Sequence, residues 1–206
     1  MKNPIFPIIV IATRNNGKLR EFRTLLSPLE SEVLSLRDLS VDTEFEESGS
    51  TFAENARLKA IGYSRLTTFP VLADDSGLEV GALGRRPGVH SARYAGVGAS
   101  DSDRVQKLLK ELESAGGGRE ACFVCALALA HEGVLLRESE GECRGIIARE
   151  PHGANGFGYD PIFLFPELGK TFAELSGAEK NLHSHRARAV ASLLRQLKVP
   201  LVTRQS

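Results

Sequence analysis

Ile8-Ile9-Val10-Ile11-Ala12 is four β-branched residues and an alanine with no polar interruption, and this run constrains the fold more than any other in the chain. A strand with one wet face alternates apolar and polar residues, whereas an uninterrupted apolar strand is covered on both faces. Ile8 to Ala12 is therefore expected as a buried strand. Thr13-Arg14-Asn15-Asn16-Gly17-Lys18 follows, and Leu19, Phe22, Leu25 and Leu26 then recur at helical spacing. Strand, polar glycine-containing loop and helix in succession aim backbone N–H groups and the positive end of a helix at the loop, which suits a phosphate. The loop is not a Walker sequence, which needs a second Gly upstream and Ser or Thr after the Lys. Asn and Gly also serve turn geometry alone, so both readings stand.

A second apolar run, Val71-Leu72-Ala73, ends in Asp74-Asp75-Ser76-Gly77. It reads as a buried strand whose carboxyl end opens into a loop. Adjacent carboxylates repel unless something positive lies between or beside them. Magnesium fills that role in many sites, held by one or two carboxylates and the phosphates of its substrate. Asp, Ser and Gly also favour turns for local reasons, so turn and metal site are both open here.

Among 206 residues, Lys+Arg and Asp+Glu both number 26. Zero net charge gives no global support for binding nucleic acid or anionic membrane, so any phosphate recognition must be built locally. The longest apolar stretch, Ala121 to Ala130, is too short to span a bilayer. Met1-Lys2-Asn3-Pro4 lacks a signal-peptide pattern, and three cysteines do not make a secreted disulfide framework. Cys122 and Cys125 lie inside a strand-like run with no second pair and read as buried core residues. The cytoplasm is the expected compartment.

Between the two apolar runs, a short strand near Val33 to Leu36 leads into the acidic segment 42–49, which reads as a solvated loop. Thr51-Phe52-Ala53-Glu54 is a capping box, so a helix starts there. Phe52, Ala56, Ala60 and Tyr63 form its apolar stripe, and Lys59 beside the stripe faces inward. Leu78 to Gly98 is glycine-rich and carries Arg85, Arg86, His90 and Arg93. Asp101 to Ala115 is expected as a surface helix. Ala121 to Ala130, Val134 to Ser139 and Cys143 to Ala148 are expected as three consecutive antiparallel strands.

Gly153 to Pro161 reads either as a loop whose backbone comes close to a flat ligand or as a tight bend between strands, with Ile162 to Phe165 a strand after it. Ser176-Gly177-Ala178-Glu179 is another capping box. Lys180, His185 and Arg186 would point in different directions on one straight helix. They act together only if the helix breaks near His183 and Ser184 caps a second one. A basic, solvated helix start is the other reading.

Several short segments, taken in order, resemble one family. They are Thr13 to Lys18; Glu46-Glu47-Ser48-Gly49 with Thr51-Phe52 and Glu54-Asn55; and Ala73 to Leu78. Pro87-Gly88 with Ser91-Ala92-Arg93-Tyr94, Gly156 to Pro161, and Glu179-Lys180 with Ser184-His185-Arg186 complete the set. Together they resemble the inosine triphosphate pyrophosphatase, or Ham1-like, family, in its bacterial dITP/XTP pyrophosphatase branch. Arg14, Asn16 and Ala154-Asn155 depart from the family's pattern, which touches only details of phosphate binding.

The resemblance implies an α/β fold: a long curved mixed β-sheet flanked by helices, two lobes around a nucleotide-binding groove, and residues 1–206 as one domain. It implies a homodimer and Mg2+-dependent hydrolysis of the purine NTPs ITP, dITP and XTP to monophosphate and pyrophosphate, cleansing the nucleotide pool. It implies Asp75 as general base and metal ligand, with Glu46 or Glu47 and Asp74 completing an acidic shell. Lys18, Lys59 and the Thr13–Lys18 segment (Thr13, Arg14, Asn15, Asn16, Gly17, Lys18) would hold phosphates, with Ser76 beside them. Phe157, Gly158, Tyr159 and Asp160 would meet the base, and Lys180, His185 and Arg186 would donate to its C6 keto oxygen. A Maf-like pyrophosphatase acting on other nucleotides and a non-catalytic nucleotide sensor are the alternatives.

Overall fold

The computed structural model describes residues 5–199; the opening Met1–Pro4, read above for a signal pattern, lies outside them. Strand β1 (Ile8–Ala12) has its last four residues buried, as its unbroken apolar sequence requires. Strand β2 (Glu32–Ser35) pairs with it in parallel on one side and β3 (Val71–Val80) in parallel on the other. Between these strands run helices α1 (Asn16–Leu25) and α2 (Phe52–Ser64). The α2 capping box is formed: Glu54 N–H donates to the Thr51 hydroxyl, and the Glu54 carboxylate accepts from Thr51 N–H. Helix α3 (Asp101–Ala115) is followed by β4 (Glu120–His131) and β5 (Val134–Ile147). The chain ends through β6 (Phe163–Phe165), β7 (Lys170–Thr171), α4 (Gly177–His183) and α5 (His185–Gln196). One sheet results, ordered β2-β1-β3-β4-β5-β6-β7, with parallel pairs at β1 and antiparallel ones at β6. The expected mixed α/β sheet is present.

Four expectations need correction. The strand that begins at Val71 does not open into a loop at Asp74; β3 continues to Val80. Each carboxylate finds partners in place, and Leu78 and Val80 return the strand to a buried core. The second and third expected antiparallel strands are one, β5, which absorbs Glu140-Gly141-Glu142. From Ser139 to Ile147 its burial alternates strictly, so Glu140 and Glu142 lie on the wet face while Gly141 and Cys143 lie inward. Cys122 is only half-buried, whereas Cys125 and Cys143 are buried, and all three are free thiols. The strand after the glycine loop starts at Phe163, because Asp160–Ile162 forms a 3-10 turn.

The chain divides into two compact units, and β3, β4 and β5 each contribute residues to both. The first unit comprises Met1–Asp75, Cys125–Gly141 and Arg186–Ser206. Its core joins Ile9 and Ile11 of β1, Phe22 and Leu26 from α1, Leu72, Leu127 and Leu129, and Val190 and Leu193 of α5. The second unit comprises Ser76–Val124 and Glu142–His185. Its core packs Val105, Leu108 and Leu112 of α3 with Leu78, Phe123, Phe163 and Phe172. The Phe123 and Phe163 rings lie 4.4 Å apart, centroid to centroid.

Gly77 continues the strand immediately beyond the two acids, and packing leaves it no room for a side chain. A Cβ there would stand 2.3 Å from Ser91 Oγ and 2.7 Å from the Gly88 carbonyl oxygen. Ser91 Oγ has little freedom to retreat, since it accepts from Leu78 N–H and donates to Gly88 C=O. Gly77→Ala is expected to lower stability by about 1–3 kcal/mol, the usual cost of overpacking, read as a drop in the urea midpoint at unchanged slope.

Candidate active site

Successive side chains of a strand point to opposite faces, so adjacent acids in β3 do not share a surroundings. Ile11 is the register partner of Leu72, and Ala12 of Ala73. Asp74 therefore lies on the face of Ile11 and Leu72, the side covered by α1 and α5, while Asp75 lies on the side of α2.

On the first face, Asp74 is 2% exposed. Its Oδ2 accepts from Lys18 Nζ at 2.9 Å and lies 3.8 Å from the Arg186 guanidinium. Arg186 is 1% exposed, pairs with Glu21 and sits with its guanidinium 5.6 Å from the Phe22 ring centre. Two cations and two anions thus neutralise each other under α1 and the start of α5. Burial alone pushes the Asp74 carboxyl up, but Lys18, Arg186 and Lys59 outweigh it and hold it well below the usual carboxylate range. Burial would likewise lower Arg186, yet Glu21 and Asp74 raise it further above its ordinary value. Lys18 and Glu21 are three residues apart on α1, which places both on one helix face.

On the opposite face, Asp75 Oδ2 accepts from Asn55 Nδ2 at 3.0 Å, and its Oδ1 lies 3.5 Å from Lys59 Nζ. The same ammonium donates to Glu47 Oε1 at 2.7 Å. Burial pushes the Asp75 carboxyl up, Lys59 pulls it down and Glu47 pushes it up again, leaving it raised. Burial also opposes the charge on Lys59, but Asp75, Asp74 and Glu47 together raise it. Asn55, fully buried, accepts from Gly49 N–H at 2.8 Å and so ties the segment carrying Glu47 to Asp75. Phe45 fixes that segment further by packing edge-on against Tyr63, 4.7 Å between ring centres. The acidic segment is thus docked rather than merely solvated.

Neighbouring carboxylates whose environments push them in opposite directions take different roles. Asp74 is locked as an anion among cations, while Asp75 is a better proton acceptor than an ordinary aspartate. The structure brings Asp75 and Glu47 together around Lys59; Asp74 faces the other way and Glu46 is exposed. No cluster of three or more His, Cys, Asp or Glu side chains suited to a metal occurs among the described residues.

In the Thr13–Lys18 segment the turn geometry is formed. Asn15 caps α1, and its Oδ1 accepts from Gly17 N–H at 2.8 Å and Lys18 N–H at 3.1 Å, so these two amides are used within the loop. Thr13 Oγ1 accepts from Asn15 N–H, and Asn16 is exposed at the first helical position. Arg14 donates to the Asp42 carbonyl at 2.7 Å and pairs with Glu44 at 3.3 Å, pinning the acidic segment.

In the second unit, Gly156 to Ile162 forms a tight loop. Asp160, 2% exposed, accepts from Phe157 N–H at 2.9 Å and from Lys180 Nζ at 2.5 Å. Lys180 in turn lies 4.6 Å over the Phe157 ring. Gly156 permits this: its φ is 77°, and a Cβ would fall 2.1 Å from Asp160 Oδ2. Gly158 is half-buried, Tyr159 is buried, and Ser76 sits half-buried in β3. The helix break expected near His183 is present, with Ser184 extended at φ −66°, ψ 156° between α4 and α5. Lys180 and His185 fall in the second unit, where His185 stacks on Phe123 with ring centres 4.7 Å apart. Asn55 and Glu21 escaped the sequence reading as site residues. Asn55 stood inside a quoted motif, and Glu21 carried only its helical spacing from Lys18.

A model of the Ham1 family matches residues 9–196. The chain belongs to the Ham1 family. This Ham1 protein is 54% identical over 186 residues to a protein of Geobacillus kaustophilus named dITP/XTP pyrophosphatase, covering 90% of this chain and 91% of the relative. A relative of the same name from Gloeobacter violaceus is 52% identical, with 90% and 92% covered. Its fold matches the solved structure of a HAM1 protein from Coxiella burnetii with a TM-score of 0.84 and 47% identity, covering 93% of this chain and 98% of the other.

The opposed environments of the two acids in this Ham1 protein predict opposed effects on stability at pH 7. A lowered carboxyl contributes stability above its unfolded value of about 3.9, lost only as pH falls through the depressed folded value. A raised one costs stability across the same neutral range. Asp74→Asn leaves Lys18 and Arg186 short of a buried anion and is expected to lose about 3–5 kcal/mol. Asp75→Asn removes a destabilising charge while its amide oxygen still accepts from Asn55, so its Tm should equal or exceed that of the parent. Thermal unfolding of both variants at pH 7 checks the contrast.

Proposed function

We propose that this chain hydrolyses ITP, dITP and XTP between the α and β phosphates, giving the monophosphate and pyrophosphate. The observation that carries this is Asp75: a buried carboxylate, raised in pKa, oriented by Asn55 and flanked by Lys59 and Glu47. Relatives sharing about half of its residues bear the name dITP/XTP pyrophosphatase.

Hydrolysis of a phosphoanhydride asks little covalent work of the protein beyond placing water, holding the phosphate chain and neutralising charge. In this reading Asp75 takes a proton from the water that attacks the α-phosphorus. Lys59 and Lys18 meet the charge that accumulates on the departing pyrophosphate.

Glu47 Oε1 and Asp75 Oδ1 both converge on the Lys59 ammonium, so two hard oxygen donors already face one positive centre. That donor set fits Mg2+, which takes one or two carboxylates and completes its shell with substrate phosphates and water. Asp75 and Glu47 would hold it. Bound there, the ion would supply charge neutralisation and alignment of the phosphates.

Base choice is assigned to the second unit. Hypoxanthine and xanthine carry a keto oxygen at C6 where adenine carries an amino group. Lys180 is a donor only, so it pairs with the first two bases and not with adenine. Phe157 supplies a flat apolar face, Asp160 holds Lys180, and His185 remains a further donor in this proposal; Arg186 belongs to the first unit, where Glu21 and Asp74 engage it. A site built on such donors rejects the wrong analogue by as much as ~10⁴-fold. The single family match runs over both units, which supports one functional domain. The proposal also takes the protein as a cytoplasmic homodimer; no described helix is long and apolar enough to cross a membrane.

Steady-state pyrophosphate release from ITP, ATP and GTP tests the reading. ITP is expected to exceed ATP in kcat/KM by at least ~10²-fold, with activity lost in EDTA and restored by Mg2+. Equal rates on all three would remove the assignment, and binding without release would favour a sensor. Asp75→Asn should lower kcat by at least ~10²-fold, the low end for loss of a general base, and near-normal turnover at saturating Mg2+ would overturn its role.

A further inference from the structure

Helix α3 starts with a complete capping box in which Asp101 takes no part. Ser100 Oγ accepts from Asp103 N–H at 3.1 Å, and Asp103 Oδ2 accepts from Ser100 N–H at 2.8 Å. Asp101 instead reaches a residue 57 positions away: its Oδ2 accepts from Gly158 N–H at 2.6 Å. Its other oxygen pairs with Arg104. Arg104 is itself fixed by donating to the carbonyls of Ala92 and Ala99, both at 2.8 Å.

The amides of Phe157 and Gly158 flank the Phe157 Cα on either side. The first is bound to Asp160 and the second to Asp101, so the backbone angles that aim the Phe157 ring are held from both ends. The next residue, Tyr159, is anchored separately, its hydroxyl donating to the Ser91 carbonyl at 2.9 Å. Gly158 has φ 64°, a conformation that glycine adopts freely, so sequence alone would leave this peptide mobile. The carboxylate supplies the restraint that the residue lacks.

We infer that Asp101, oriented by Arg104, is a positioning residue that sets the Phe157 ring for stacking on the substrate base. The inference rests on the proposed function, in which Phe157 is the face that meets the purine. It makes Asp101 act on recognition of the base and not on hydrolysis. Preorganising a binding group lowers the ordering cost of binding, so its loss raises KM while kcat holds.

The two reaction products separate these effects, because inosine monophosphate carries the base and pyrophosphate does not. Asp101→Ala is expected to raise KM for ITP and the inhibition constant of inosine monophosphate by about fivefold or more, the scale of one lost hydrogen bond. The kcat and the inhibition constant of pyrophosphate should stay within about twofold. Asp101→Asn keeps an oxygen for Gly158 N–H and should recover most of the loss. Asp101→Glu keeps the charge at the start of α3 but moves the oxygen by one methylene, and it should behave like the alanine variant even if that variant proves unstable. Equal changes in both product constants, or wild-type constants in Asp101→Glu, would overturn the inference while leaving ITP hydrolysis intact. A parent enzyme inactive on ITP would remove the functional reading and this inference with it.

Discussion

The buried pair of Asp74 with Lys18 and Arg186 is the contact on which the first unit's chemistry depends. A carboxylate 2% exposed and a guanidinium 1% exposed are each costly to bury alone. Glu21 and Lys18 complete a set with two charges of either sign, so no net charge is left in the interior. The set also locks α1, β3 and the first turn of α5 by side chains that tolerate no other register. A one-residue slip of β3 would exchange the faces of Asp74 and Asp75 and strand both. The chemically interesting carboxylate is thereby delivered to its own face by its neighbour's salt bridges.

On that face, burial works against the charge of Asp75 and costs stability at neutral pH. Asp75 is kept near Glu47 with one ammonium between them, and the side-chain amide of Asn55 donates to it. A carboxylate satisfied by several cations would be inert as a base; one with fewer compensating contacts remains a competent proton acceptor. Lys59 faces both acids without cancelling the effect of burial on Asp75. The second unit solves a different problem, presenting a flat ring and a fixed ammonium through a glycine-rich loop whose amides are tied down one by one.

Much of this was legible in the residues. The β-branched run gave β1, the S/T-x-x-E boxes gave the starts of α2 and α4, and one of the two readings of Lys180, His185 and Arg186 called for the break that Ser184 makes. What escaped reading was long-range. Asp74-Asp75 looked like a strand end because two acids ordinarily terminate an apolar run; Lys18, Arg186, Asn55 and Lys59, from 16 to 112 residues away from the acid each one meets, stabilise a continuing strand there. Glu140-Gly141-Glu142 stood between two expected strands, yet strict alternation keeps it in β5. Asn15 consumed amides that the loop sequence seemed to offer to a phosphate, a competition between side chain and ligand that spacing does not reveal.

The first core draws on residues 9–29 and 189–194, which has a consequence for how the protein is made. During synthesis, β1 and α1 precede α5 by more than 150 residues, so their apolar faces have no Val190, Leu193 or Leu194 to pack against until that intervening chain has left the ribosome. Arg186, the counter-charge of Glu21 and Asp74, arrives equally late. Closure therefore joins segments more than 150 residues apart in the sequence, and such non-local contacts carry a loop-closure entropy that local ones do not. Until that moment Ile9, Ile11 and Phe22 are exposed to whatever chaperone or neighbouring nascent chain reaches them first.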